Sequence, residues 1–227
     1  MNNVLLISAV ILTFSLLLLA KNFFGKSGVI GFMGIATIMA NIMICKSVTL
    51  LGISATLGNV MFASNFLATD ILTECYGVEN AKKGVRFAVF AILAFCACTQ
   101  LMLTFIPNEL DIAQESMQTL FSLTPRITAA SVAMFALSNI LDVRLYEHLR
   151  LKTDGKYMWL RNNISTILCN GCENFAFYFI AFAGIFGTKD MLMMGLSATI
   201  IEILIALCDT PFLYIATREE RMALKTA

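Results

Sequence analysis

Apolar runs of about twenty residues, long enough to cross roughly 30 Å of hydrocarbon, recur along this chain between short charged loops. That pattern constrains the fold more than any motif does. The runs lie at residues 4–20, 28–45, 56–75, 84–106, 126–143, 164–187 and 190–216. Of the 227 residues 59% are hydrophobic and only 14% charged, with mean hydropathy +0.81; a soluble domain averages about 25% charged. One aqueous core cannot hide that much apolar surface, so the expected fold class is an all-α polytopic membrane protein with seven spans. The first run has no Lys or Arg ahead of it and no clear small-x-small cleavage site behind it. It reads as a retained helix rather than a signal peptide.

Loop charge sets the expected orientation. Lys21 and Lys26 follow the first run, and only Lys46 follows the second. Lys82, Lys83 and Arg86 follow the third, whereas residues 107–125 carry Glu109, Asp111 and Glu115 and no basic residue. The next loop holds Arg144, Arg150, Lys152, Lys156 and Arg161, and the tail Arg218, Arg221 and Lys225. Rich and poor loops alternate, which puts the N-terminus outside and the C-terminus in the cytoplasm. The expected partner is the lipid bilayer. A net charge of +1 offers no field for nucleic acid. No phosphate-binding glycine loop is present, so ATP hydrolysis by this chain alone is not expected.

The seven cysteines fall mostly within apolar runs and read as small, reduced packing residues. Cys169-Asn-Gly-Cys172 has redox-motif spacing but lies in a membrane helix, without a βαβ context. With a single histidine, His148, in a charged loop, no metal site, no cofactor and no enzymatic constellation is expected.

Acids inside apolar spans are the informative residues, because a charge at mid-bilayer costs roughly 2.5–3.5 kcal/mol on insertion scales. Asp70 and Glu74 share one helix face, beside a polar stripe of Asn65, Thr69 and Thr73. Glu74, nearer the cytoplasmic rim, has an ordinary explanation in Lys82 or Lys83; Asp70 lies a turn deeper and needs a partner. Asn170, Glu173 and Asn174 gather on one face near the middle of their span, with Phe175, Phe177 and Tyr178 as neighbours. A carboxylate accepts two parallel hydrogen bonds, which suits an amidine-like or guanine-like edge. Glu202 has no helical neighbour of opposite charge. Asp142 and Asp209 fall nearer the cytoplasmic ends, where solvation is easier. Arg161, beside Trp159, reads as an interfacial anchor. The stretch "RLYEHLRLKTDGKYMWLR" reads as a short cytoplasmic helix with a turn at Asp154-Gly155.

The stretches "FLATDILTECYGVENAKKGV" (66–85) and "SNILDVRLYEHLRLKTDGKYMWLRNNISTILCNGCENFAFYFIAF" (138–182) closely resemble signature blocks of the queuosine precursor transporter family, also called the vitamin uptake transporter family. Asn41, Lys46 and Thr210-Pro211 also resemble family positions. The resemblance covers roughly residues 28–216, and it implies a six-helix transporter core there. Residues 1–27 then read as an extra N-terminal transmembrane helix and linker, and 217–227 as a cytoplasmic tail. It further implies uptake across the bacterial cytoplasmic membrane of 7-deazapurines, namely 7-cyano- and 7-aminomethyl-7-deazaguanine or queuine, which feed a modified base in tRNA anticodons. The residues expected to bind substrate are Glu173, Asn170, Asn174, Asp70, Asn41 and Asn65, with Glu74, Glu202 and Arg161 in gating or coupling. Two positions depart from the family pattern: an Asp-Thr pair is usual where Glu173-Asn174 stands, and a Lys is frequent at Glu202. The alternative expectation is a substrate-binding membrane subunit of an energy-coupling-factor importer for a small vitamin-like solute. A homodimer suits a unit this small.

Overall fold

The structure is a computed structural model that describes residues 1–43, 46–50, 53–121, 125–154, 156–184 and 187–218. Cys45, Gly155, Arg221 and Lys225 lie outside the described residues. Helix α1 (Asn2–Met43) carries the first two apolar runs, broken by Gly25 at φ 57° and ψ −140°. Only glycine takes that conformation without strain. A straight helix of this length would span about 63 Å. Yet Asn2 Nδ2 donates to the Thr49 carbonyl at 3.2 Å, so the two ends of α1 lie together and the chain doubles back at Gly25. The return is tight: a Cβ on Gly28 would stand 2.0 Å from the Ala20 carbonyl oxygen.

A small antiparallel hairpin follows, β1 (Ser47–Leu50) and β2 (Ile53–Thr56), with Ser47 opposite Thr56 and Leu50 opposite Ile53. The all-helical expectation missed it, because two segments of four residues are too short to show an alternating period. Their β-branched content suits a ladder.

Helix α2 (Gly58–Tyr76) is the hub. Fourteen of its 19 residues are buried, and it packs against α1, α3 (Val78–Leu103), α5 (Pro125–Lys152) and α7 (Thr188–Ala216). The α3 face turned inward is Ala81, Gly84, Val85, Ala88 and Ile92. Small residues let the backbones approach: a Cβ on Gly84 would meet Met33 Sδ at 2.6 Å and Leu72 Cδ1 at 2.8 Å. The opposite face presents Phe87, Phe90 and Leu93 outward, as a lipid-facing surface does.

The loop expected over 107–125 contains the short exposed helix α4 (Gln114–Phe121). The separate cytoplasmic helix expected after residue 143 is instead the continuation of α5 to Lys152. No Gly or Pro interrupts residues 143–152, so nothing ends the helix there. Helix α6 (Met158–Phe182) completes the bundle by packing on α5 and α7. Among the described residues, α1, α3, α5 from Ala129 onward, and α7 contain windows apolar and long enough to cross a membrane. In α2 and α6 a file of Asn, Thr, Ser, Asp and Glu side chains dilutes the apolar run. The architecture is that of an all-α membrane protein carrying one short hairpin.

The N-terminal half of α1 packs into the bundle: Val10, Phe14 and Leu17 are buried in the common core with Leu67, Ile71 and Leu213. Phe14 meets Phe212 edge-on at 5.2 Å, and Lys21 Nζ donates to the Ala216 carbonyl. The Gly28 contact predicts that Gly28→Leu costs about 1–3 kcal/mol by overpacking. Gly31→Leu, with nothing within 4 Å of its Cβ position, should leave stability nearly unchanged. Thermal midpoints of the two purified variants in detergent compare them directly.

Candidate functional site

Four helices, α2, α5, α6 and α7, place polar side chains at three successive heights of the bundle. The first level is a cleft whose empty space, about 530 Å³, includes the part open to the outside. It is lined by Asn41 of α1, Asn59 and Phe62 of α2, Ser131 of α5, Glu173, Asn174, Phe177 and Tyr178 of α6, and Ala198 and Glu202 of α7. Asn174 Nδ2 donates to Glu202 Oε2 at 2.7 Å, which fixes a carboxamide between two acids. Glu173 is 5% exposed and its Oε2 has no partner; the Ser138 hydroxyl lies beside the same carboxyl. Phe177 and Tyr178 stand edge-on, their ring centroids 5.2 Å apart. Among the described residues, no Lys or Arg is in the lining.

The second level lies seven to eleven residues farther along each helix, about 10–16 Å at 1.5 Å per residue. Here α2 supplies Thr69 and Asp70, α5 Ser138, Asn139 and Asp142, α6 Asn162 and Ser165, and α7 Asp209, all at most 3% exposed. Thr69 Oγ1 donates to Asp142 Oδ2 at 3.1 Å, and Asn162 Nδ2 to Asp209 Oδ1 at 2.6 Å. Both carboxyl oxygens of Asp70 lack a partner, as do Asp142 Oδ1 and Asn162 Oδ1.

The third level is ionic. Arg161 Nη2 donates to Glu74 Oε1 and Arg161 Nη1 to the Lys156 carbonyl at 3.2 Å. The guanidinium carbon stands 5.3 Å from the Tyr146 ring centre, and Arg150 Nε is 3.8 Å from the same Glu74 oxygen. Arg161 is therefore a buried partner of Glu74, and the expected interfacial anchor is corrected. The ordinary expectation for Glu74 is corrected with it, because Lys82 pairs with Glu79 at 2.7 Å instead. The signal was in plain view: Arg161 and Arg150 are the cations that the α5–α6 turn returns to the height of Glu74.

Of the residues singled out from sequence, Glu173, Asn174, Asn41 and Glu202 come together at the cavity. Asp70 lies at the second level and does not face Glu173 across the cavity. Asn65 and Asn170 are fully buried outside the lining, and Asn170 has neither side-chain atom partnered. Sequence reasoning passed over Asn59, Ser131 and Phe62. It also set Asp142 and Asp209 aside as easily solvated, whereas both are at most 1% exposed. Cys169 is buried and Cys172 exposed, and both are free thiols.

Comparison with known proteins identifies the family. Residues 56–216 match the family described as "Putative vitamin uptake transporter". The chain is 35% identical over 218 residues, 96% of its own length and 95% of the relative's, to the "Probable queuosine precursor transporter" of Bacillus subtilis (strain 168). It is 30% identical over 143 residues to the "Queuosine precursor transporter" of Escherichia coli (strain K12), covering 63% of this chain and 62% of that one. No solved structure matches the chain significantly.

The ionic level predicts that Arg161→Ala destabilises by about 3–5 kcal/mol, since it strands Glu74 without its buried partner. Adding Glu74→Gln should restore part of that loss. Chemical unfolding of the two variants in detergent measures the coupling.

Proposed function

The chain belongs to the vitamin uptake transporter family, and on that premise we propose that it imports queuosine precursors through the α2–α5–α6–α7 bundle. The reading has seven spans with the N-terminus outside, the two halves of α1 counting as the first two. That topology puts the Glu74–Arg161 level at the cytoplasmic side, as an inner gate. The relatives named above support the transport of queuosine precursors, and the apolar helices support a multi-pass bacterial membrane protein.

One observation carries the substrate assignment: the buried Glu173 carboxylate opens on a cavity walled by Phe62, Phe177 and Tyr178. A deazaguanine offers a ring N–H and an exocyclic amine side by side, two parallel donors for one carboxylate. Flat rings pack on aromatic walls. Asn41 and Asn59 supply further polar groups for the rest of the edge. Glu202, held by Asn174, is a second acid in a lining that has no cation among the described residues. That charge balance favours a 7-substituent bearing an ammonium group over a neutral cyano group.

Uptake of labelled 7-aminomethyl-7-deazaguanine, by cells unable to make or otherwise import it, tests the reading. Glu173→Ala should lower uptake at least about 100-fold, since it removes two charge-assisted hydrogen bonds worth about 1.5–3 kcal/mol each. Glu202→Gln should narrow the preference for the aminomethyl over the cyano base in competition. Normal uptake by Glu173→Ala at equal membrane abundance sinks the assignment. Uptake by the purified protein alone in liposomes shows that no ATPase module is required.

A further inference from the structure

The second level of the bundle lies outside the cavity lining, and its chemistry is unusual. Three carboxyls, from Asp70 on α2, Asp142 on α5 and Asp209 on α7, are each at most 1% exposed. Asp142 and Asp209 lie within electrostatic reach of Asp70, as do Glu74 and Arg161, and Cys169 faces the same group from α6. Tyr146 of α5 is the remaining titratable neighbour. Among the described residues, the charged groups acting most strongly on Asp70 come from α2, α5, α6 and α7. The nearby cation, Arg161, commits both Nη atoms to Glu74 and the Lys156 carbonyl, and its buried Nε is left without a partner.

The unpartnered carboxyl and carboxamide atoms at this level point to one kind of ligand. They include Asp70 Oδ1 and Oδ2, Asp142 Oδ1 and the carboxamide oxygen of Asn162, whose amide nitrogen is bonded to Asp209. These four atoms are acceptors. A buried charge without a partner costs several kcal/mol, and a buried acceptor without a donor costs about 1–3 kcal/mol. One added proton answers both problems: it neutralises a carboxylate and turns an acceptor into a donor aimed at its neighbours. Among the described residues no three His, Cys, Asp or Glu side chains converge closely enough to hold a metal ion.

We propose that the Asp70–Asp142–Asp209 level is a proton site, separate from the solute cavity, and that it couples inward proton movement to import. Asp70 is the switching member. It lies one helical turn from Glu74 on α2, and the two acids share access to Arg161. Protonated Asp70 leaves Arg161 on Glu74 and the inner level shut. Proton loss toward the cytoplasm makes Asp70 a charged competitor for Arg161, and the Glu74 contact loosens. Ser138, beside Glu173 at one end and bonded to the Cys169 carbonyl at 3.3 Å at the other, joins the cavity to this level.

The inference rests on the transport reading, and its test is separable from that one. In liposomes carrying the purified protein, an inward proton gradient of about one pH unit should concentrate the aminomethyl base about tenfold, one proton per solute. Solute addition should draw protons inward, read with an internal pH dye. Asp70→Asn should still exchange labelled for unlabelled base across the membrane, yet hold the inside-to-outside ratio at one whatever the gradient. The dye measurement on unaltered protein decides the matter even where the variant fails to fold. A proton-independent ratio with intact exchange, accumulation driven by sodium alone, or gradient-driven accumulation by Asp70→Asn overturns the proposal. Loss of exchange in unaltered protein overturns the transport reading itself.

Discussion

The burial of α2 on every side is the constraint on which the rest depends. A helix at the rim of a bundle can turn its polar residues to headgroups or water. Helix α2 has no such face, yet it carries Asn59, Asn65, Thr69, Asp70, Thr73 and Glu74. Its neighbours must answer these groups across the helix–helix interfaces, because lipid offers no hydrogen bonds. Thr69 is answered by Asp142 and Glu74 by Arg161. The polar sequences of α5, α6 and α7 follow from that demand, and the levels of the bundle form where the answers meet.

The same constraint explains why function concentrates on one line through the molecule. Polar residues are tolerated in an apolar helix only where other helices can reach them. Once α2 is central, such positions stack along its length: Asn59 and Phe62 by the cavity, Asp70 below, Glu74 at the ionic end. Helix α6 runs the opposite way and meets the same heights in reverse, from Arg161 through Asn162 and Ser165 to Glu173. The outward faces of α3 and α7 are free of this demand and carry Phe90, Leu93, Leu204 and Leu207.

Much of this was legible in the residues, and the failures have physical reasons. Apolar run length located every long helix, and the spacing of Glu173 and Asn174 identified the wall of the cavity. Charge in the loops could not tell a surface ion pair from a buried one, so Arg161 was read as an anchor. Depth was judged from distance along a span, which made Asp142 and Asp209 look wet. Their burial depends on which helices surround them, and a single helix does not encode that. Glu202 was visible as an oddity, but its pairing with Asn174 joins residues 28 positions apart on different helices, and no local pattern reports such a contact. The hairpin at residues 47–56 is too short to announce itself.

The doubled-back first helix has a consequence for how the protein comes to be made. Its N-terminal half finds partners on α2 early in synthesis, but others lie on α7, far later in the sequence. Phe14 waits for Phe212, and Lys21 for the carbonyl of Ala216. The hub helix is likewise synthesised before α5, α6 and α7 can answer its acids, and α7 closes over both.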